Sequence, residues 1–207
     1  MSEGLSFVHR FERGADPKAP PLLLLHGTGG DENDLVPLGR TIAPNASLVS
    51  PRGKVLEDGM PRFFRRFADA TFDEADVRSR AHELADFIAA AVTRYALSPP
   101  IALGYSNGAN VAAAVLLLRP EMLAGAILLR ATVPLAHAPS VDSTGKSILI
   151  VSGIDDPIIP PANAARLAVL LQRNGAAVEH HTLPSGHALS QADIVLAKRW
   201  LAARGAA

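Results

Sequence analysis

The chain has 207 residues, among them 20 Lys or Arg and 20 Asp or Glu, so its formal net charge is zero. That length suits one sizeable core better than two ordinary domains, and a single domain over residues 1–207 is expected. Zero net charge excludes a global field that would draw in nucleic acid or an anionic membrane, and the absence of Cys excludes a disulfide framework, a thiolate metal site and a cysteine nucleophile.

Met1 to Leu5 carries no basic segment followed by an apolar stretch, so nothing there reads as a secretory signal and a cytoplasmic location is expected. Asn45-Ala46-Ser47 is then a chance match to a glycosylation site. No apolar run approaches the roughly 18 residues of a membrane span.

Short apolar runs alternate with segments of helical period, the pattern of strand-helix-strand units around a mostly parallel sheet. Strands are expected at Ser6 to Phe11, Pro21 to His26, Ala46 to Ser50, Ile101 to Tyr105, Gly125 to Arg130, Ser147 to Ser152 and Val178 to Leu183. The clearest helix puts Val77, Ala81, Leu84, Ile88, Ala91 and Tyr95 on one stripe and stops before Pro99-Pro100. Further helices are expected at Asn107 to Leu118, Pro161 to Asn174 and Ser190 to Arg204, with two long irregular stretches at Pro51 to Ala70 and Ala131 to Lys146.

The chemistry begins at Gly104-Tyr105-Ser106-Asn107-Gly108, a G-x-S-x-G pattern between an apolar strand and a helix. Small residues on both sides of Ser let the chain turn sharply and present the hydroxyl. A serine hydroxyl is a weak nucleophile; it needs a base to take its proton and a carboxylate to orient that base. Asp156 follows the expected strand Ser147 to Ser152 and His187 the last one, at the C-terminal ends where open α/β sheets place their ligands. Asp155 competes with Asp156 for the acid, and His137, in the second long loop, competes with His187 for the base. His9, His82, His180 and His181 lie on strands or a polar helix face and read as ordinary structural or solvated residues.

Leu25-His26-Gly27-Thr28-Gly29-Gly30 follows the first buried strand and contains neither G-x-G-x-x-G nor a Walker Lys, so a phosphate loop is not indicated. Its position suits a loop that donates to an oxyanion, with the Thr28 and Asn107 backbone N–H groups as the donors. Pro51-Arg52-Gly53-Lys54 and Pro61-Arg62-Phe63-Phe64-Arg65-Arg66-Phe67 interleave cations and aromatics. This is either a solvated segment anchored by its Phe rings or part of the rim around Ser106; on the second reading Arg62, Phe63 and Arg65 contact an anionic or aromatic substrate.

Taken in order, Leu25-His26-Gly27-Thr28-Gly29-Gly30-Asp31-Glu32, the G-x-S-x-G pentapeptide, Gly153-Ile154-Asp155-Asp156-Pro157-Ile158-Ile159-Pro160 and Gly186-His187 resemble the phospholipase/carboxylesterase family of α/β-hydrolases. The resemblance spans essentially the whole chain and includes the acyl-protein thioesterases and lysophospholipases. It implies an α/β-hydrolase fold, a mostly parallel central sheet flanked by helices, and it selects Asp156 over Asp155 as the acid. Ser50-Pro51-Arg52-Gly53 and Gly59 to Arg66 further resemble a bacterial subgroup of carboxylesterases or hydroquinone-resistance hydrolases. Asn107 stands where the eukaryotic thioesterases have Gln, and Ala109 where they have a second Gly. Dienelactone hydrolases share this fold but use the cysteine that is missing here.

The implied activity is that of a serine carboxylesterase with Ser106, Asp156 and His187 as its triad, a small-molecule ester as substrate, and no metal or organic cofactor. An acyl-thioesterase or lysophospholipase, and a non-catalytic ligand-binding protein on the same fold, are the alternatives; a homodimer is compatible with the sequence. Only Ala131 to Lys146 intervenes where this fold often inserts a lid, so an open site without a cap domain is expected, flanked by Val133, Leu135 and the Arg/Phe segment.

Overall fold

The computed structural model describes residues 5–67 and 71–204. Met1 to Gly4, and residues 68–70 at the end of the first long irregular stretch, lie outside the described residues. Strands β1 (His9–Glu12), β2 (Leu22–Leu25), β3 (Leu48–Pro51), β6 (Ile101–Tyr105), β7 (Gly125–Leu129), β8 (Ser147–Gly153) and β9 (Ala177–Leu183) form one sheet in the order β1-β3-β2-β6-β7-β8-β9. β1 runs antiparallel to β3, and every other pairing is parallel. The helices are α1 (Val36–Ile42), α2 (Glu74–Tyr95), α3 (Asn107–Leu118), α4 (Pro161–Arg173) and α5 (Gln191–Ala202).

The inner strands β2, β3, β6, β7 and β8 read as mostly apolar, buried runs because both faces of the sheet are covered there, whereas the edge strands β1 and β9 are more polar. Alternate residues of one strand enter opposite cores: Leu23 and Leu25 pack with α2, α3 and α4, whereas Leu22 and Leu24 pack with α1 and α5. The stripe expected on α2 holds, with Val77, Ala81, Leu84, Ile88 and Ala91 buried. Its last member, Tyr95, stacks on Phe11 with ring centroids 3.8 Å apart. Asp73 caps this helix by accepting the Asp76 N–H, and Ala96 closes it in a left-handed conformation at φ 51°.

The long stretch after β3 is not wholly irregular. It contains a hairpin of β4 (Val55–Glu57) and β5 (Met60–Arg62), turned at Asp58-Gly59 with φ of 53° and 78°. Positive φ at both central residues is the demand of a type I′ turn, which Asp-Gly meets. No helix occurs in residues 131–146, all of them described, so no cap domain is inserted between β7 and β8.

Strand order fixes where a site can form. The chain steps from β2 to β3 on one side, then returns to place β6 on the other side of β2. The crevice outside the C-terminal ends of β2 and β6 is the switch point at which open α/β sheets bind ligands. Thr28 follows the first of these strands and Ser106 the second.

Candidate active site

Ser106 sits between β6 and α3 with φ 52° and ψ −115°, a conformation that non-glycine residues adopt at a cost of about 1–3 kcal/mol. The surroundings enforce it. A Cβ on Gly108 would lie 2.0 Å from the Leu25 carbonyl oxygen, and one on Gly104 would lie 2.7 Å from the backbone of Ala109. The turn therefore packs its own backbone against β2 and against the first turn of α3, and glycine on both sides of Ser106 is a steric necessity.

His187, in the loop after β9, reaches this turn: its Nε2 is 3.0 Å from Ser106 Oγ. Its Nδ1 lies 2.8 Å from Asp156 Oδ2. The other oxygen of Asp156 accepts the N–H groups of Ile158 at 2.8 Å and Ile159 at 3.0 Å. Burial acts to raise the pKa of this carboxyl, but the two N–H groups and His187 outweigh it and hold the group below the usual carboxylate range. An ionised carboxylate only accepts, so Nδ1 of His187 donates to it and Nε2 is left with a lone pair for the Ser106 hydroxyl.

The rivals fall away on placement. Asp155 is exposed while the Asp156 side chain is 1% exposed, and His137 is exposed on its loop with only its carbonyl engaged among the described residues, by Arg78.

Beside Ser106 lies a cavity of about 510 Å³ that Thr28 and Asn107 help to line. The loop carrying Thr28 is fastened at several points. Buried His26 donates from Nδ1 to the Gly27 carbonyl at 2.6 Å and accepts the Gly53 N–H on Nε2 at 2.9 Å. Gly29 N–H donates to the Pro61 carbonyl at 3.0 Å, tying the loop to β5. Burial pushes the His26 pKa down, which keeps the ring in the neutral form this bridge needs.

A family model described as Phospholipase/Carboxylesterase matches residues 8–204. The chain belongs to the phospholipase/carboxylesterase family. It is 42% identical over 194 residues to MhqD of Bacillus subtilis (strain 168), covering 93% of this chain and 96% of that protein. Among solved structures, the Bacillus cereus carboxylesterase is similar at TM-score 0.93 and 42% identity, covering 96% of this chain and 94% of its own. The carboxylesterase from Mesorhizobium loti is similar at TM-score 0.89 and 37% identity, covering 96% of this chain and 95% of its own.

On this phospholipase/carboxylesterase scaffold, three of the substrate contacts expected from sequence do not line the cavity. Phe63 is 2% exposed and belongs to the core; its ring packs on His26, and its N–H donates to Asn107 Oδ1 at 2.8 Å. Arg65 turns to α2, where its guanidinium pairs with Asp73 at 2.8 Å and its N–H donates to Asp76. Leu135 is fully buried beneath the loop. Arg62 and Val133 do line the cavity, together with Arg66, Glu74, Asn110, Asn163 and Arg166. The Arg/Phe segment is thus first a brace: it holds the Thr28 loop through Pro61 and the Asn107 side chain through Phe63.

Arg130, at the end of β7 with φ 57°, is the functional neighbour that sequence reasoning missed. It is fully buried and paired bidentately with Asp193 at 2.7 and 3.1 Å. Its remaining donors reach the carbonyls of Gly186 at 2.9 Å and Ala188 at 3.1 Å, the residues on either side of His187. Asp193 in turn accepts the Ser190 N–H and hydroxyl at the start of α5. One guanidinium therefore fixes the loop that carries the imidazole. Arg130→Met leaves Asp193 buried without its cation and is expected to cost about 3–5 kcal/mol. The urea midpoint measures it; a loss under about 1 kcal/mol would mean that the clamp adds little net stability.

Proposed function

We propose that this chain is a serine hydrolase that cleaves carboxylic esters through an acyl-enzyme. The observation that carries the reading is the continuous line Asp156, His187, Ser106, with contacts of 2.8 and 3.0 Å, ending on a strained turn that presents the hydroxyl. Strain retained at one serine, with a base in reach and a carboxylate orienting that base, is costly as architecture and useful for nucleophilic attack.

Ser106 Oγ attacks the ester carbonyl as its proton passes to His187 Nε2, forming a tetrahedral intermediate. The backbone N–H groups of Thr28 and Asn107 stabilise the oxyanion, and the positive end of the α3 dipole adds to the same field. Collapse of the intermediate expels the alkoxide, which takes the proton from His187. Water then attacks the acyl-enzyme with His187 again as base, releasing the acid and restoring Ser106. Every step uses groups of this chain and water, so the reading calls for no metal or organic cofactor.

Fluorophosphonate treatment of the folded protein tests this. The expected result is a single covalent adduct by intact mass, mapped to Ser106, together with loss of p-nitrophenyl acetate hydrolysis. A folded protein that neither takes the label nor turns over the ester is instead a binding module on a hydrolase fold.

A further inference from the structure

The cavity beside Ser106 holds more guanidinium than carboxylate. Among the described residues, Arg62, Arg66 and Arg166 line it, against Glu74 alone. Glu57 lies behind the first two and serves both: its Oε2 is 2.9 Å from Arg62 Nη1 and 2.9 Å from Arg66 Nη2. Among the described residues, two cations on one carboxylate oxygen leave one positive charge unmatched. Glu74 spends Oε1 on the Ala136 N–H at 2.9 Å. Arg166, on α4, has neither a hydrogen bond nor an ion pair among the described residues.

Arg62 is 3% exposed, so its charge is largely out of bulk water. Burial first, and then the Arg66 guanidinium, pull its pKa below the usual arginine value, the mark of a cation short of compensation. The same wall includes Asn107, whose Nδ2 is buried with no acceptor among the described residues. An excess of positive charge and an orphan donor around one space ask for the same thing, a ligand that brings negative charge and acceptor oxygens.

We infer that the ester taken here carries a carboxylate on its acyl part, held by Arg66 and Arg166 while the scissile carbonyl lies at Ser106. A neutral ester would leave these cations as they are, whereas a short dicarboxylic acid monoester fits within a cavity of about 510 Å³ and matches its charge. This inference rests on the proposed ester-hydrolase reading and names the substrate class of the same site.

The test compares two substrates of matched shape, p-nitrophenyl hydrogen adipate and its neutral methyl ester, after subtraction of enzyme-free hydrolysis. Wild type is expected to favour the anionic ester in kcat/KM by about tenfold or more at low salt, with the ratio shrinking as ionic strength rises. Arg166→Gln and Arg66→Gln are each expected to reduce that ratio by about tenfold. Arg166 is exposed, so its replacement does not put the fold at stake. A ratio near one in wild type, with the neutral ester turned over, overturns the anionic subsite and leaves the hydrolase reading standing; so does a ratio that both variants preserve. If neither ester is hydrolysed and Ser106 takes no fluorophosphonate, the hydrolase reading fails and this inference with it.

Discussion

A Ser106→Ala variant is expected to lose about six orders of magnitude in kcat on p-nitrophenyl esters. The hydroxyl is the only atom removed, so the loss reports the nucleophile and not the scaffold. Alanine occupies the φ 52° turn at much the same cost as serine, because the strain arises from having a Cβ at all. Neither Gly104 nor Gly108 is touched, and the packing of the turn on Leu25 remains. Thermal unfolding should therefore match wild type to within a few degrees while fluorophosphonate labelling disappears. A residual rate of about 10³ over water is expected from the oxyanion donors and substrate positioning that survive. If the purified variant instead kept one hundredth of wild-type kcat, the nucleophile would have to be another group, and the line from Asp156 through His187 would be structural.

The sequence made this turn legible because its logic is local. Two glycines, one serine, an apolar strand before and a helix after are all consecutive, and the close approach to β2 follows from them. The strands were legible for a related reason: a sheet covered on both faces writes itself as short apolar runs, and β6 and α3 have the bounds that the sequence suggests. The hairpin was not legible. Its strands, Val-Leu-Glu and Met-Pro-Arg, are three residues each, and only Val55 and Arg62 are buried, so no alternation announces it. The one available signal was Asp58-Gly59, which is the dipeptide a type I′ turn prefers.

The cavity wall is the least legible part of the site, for a physical reason. Phe63, Arg65 and Leu135 lie in the loops around Ser106, yet which way a loop side chain points is decided by what can bury it. Phe63 and Phe64 carry large apolar surface and go under α2, while Arg65 finds Asp73 and Asp76 at the start of that helix. Arg166 and Arg130 are 60 and 24 residues from Ser106 in sequence, and nothing in their neighbourhoods marks them. Sheet topology brings both back. β7 and β8 lie beyond β6 on the side away from β2, so the turns that follow them, and α4 after the second, converge on the same crevice end as the serine.

Asp156→Asn separates geometry from charge, and its expected effect is a fall of about 10⁴ in kcat with the fold intact. The asparagine carbonyl can still accept the Ile158 and Ile159 N–H groups that Oδ1 of Asp156 accepts, so the turn that presents the side chain survives. The amide NH₂ then faces His187 Nδ1, where a carboxylate oxygen had been. A donor cannot accept the Nδ1 hydrogen, so the imidazole takes the other tautomer: Nδ1 accepts and Nε2 carries the proton. Nε2 then meets the Ser106 hydroxyl as a donor, 3.0 Å away and unable to act as base. Asp155→Asn is the matched control, since that carboxylate is exposed, and it should retain wild-type kcat. The pH dependence follows with a definite sign. Because folding lowers the Asp156 pKa, its charge adds stability above the unfolded value of about 4, and that stability is lost as pH falls through the lower folded value. Asp156→Asn should therefore lower stability at neutral pH, flatten the acid limb of the stability curve, and approach wild type once pH falls below the folded pKa, where the native carboxyl is protonated. Equal kcat losses in the Asp155 and Asp156 variants would remove Asp156 from its proposed role and turn the search toward a different partner for His187.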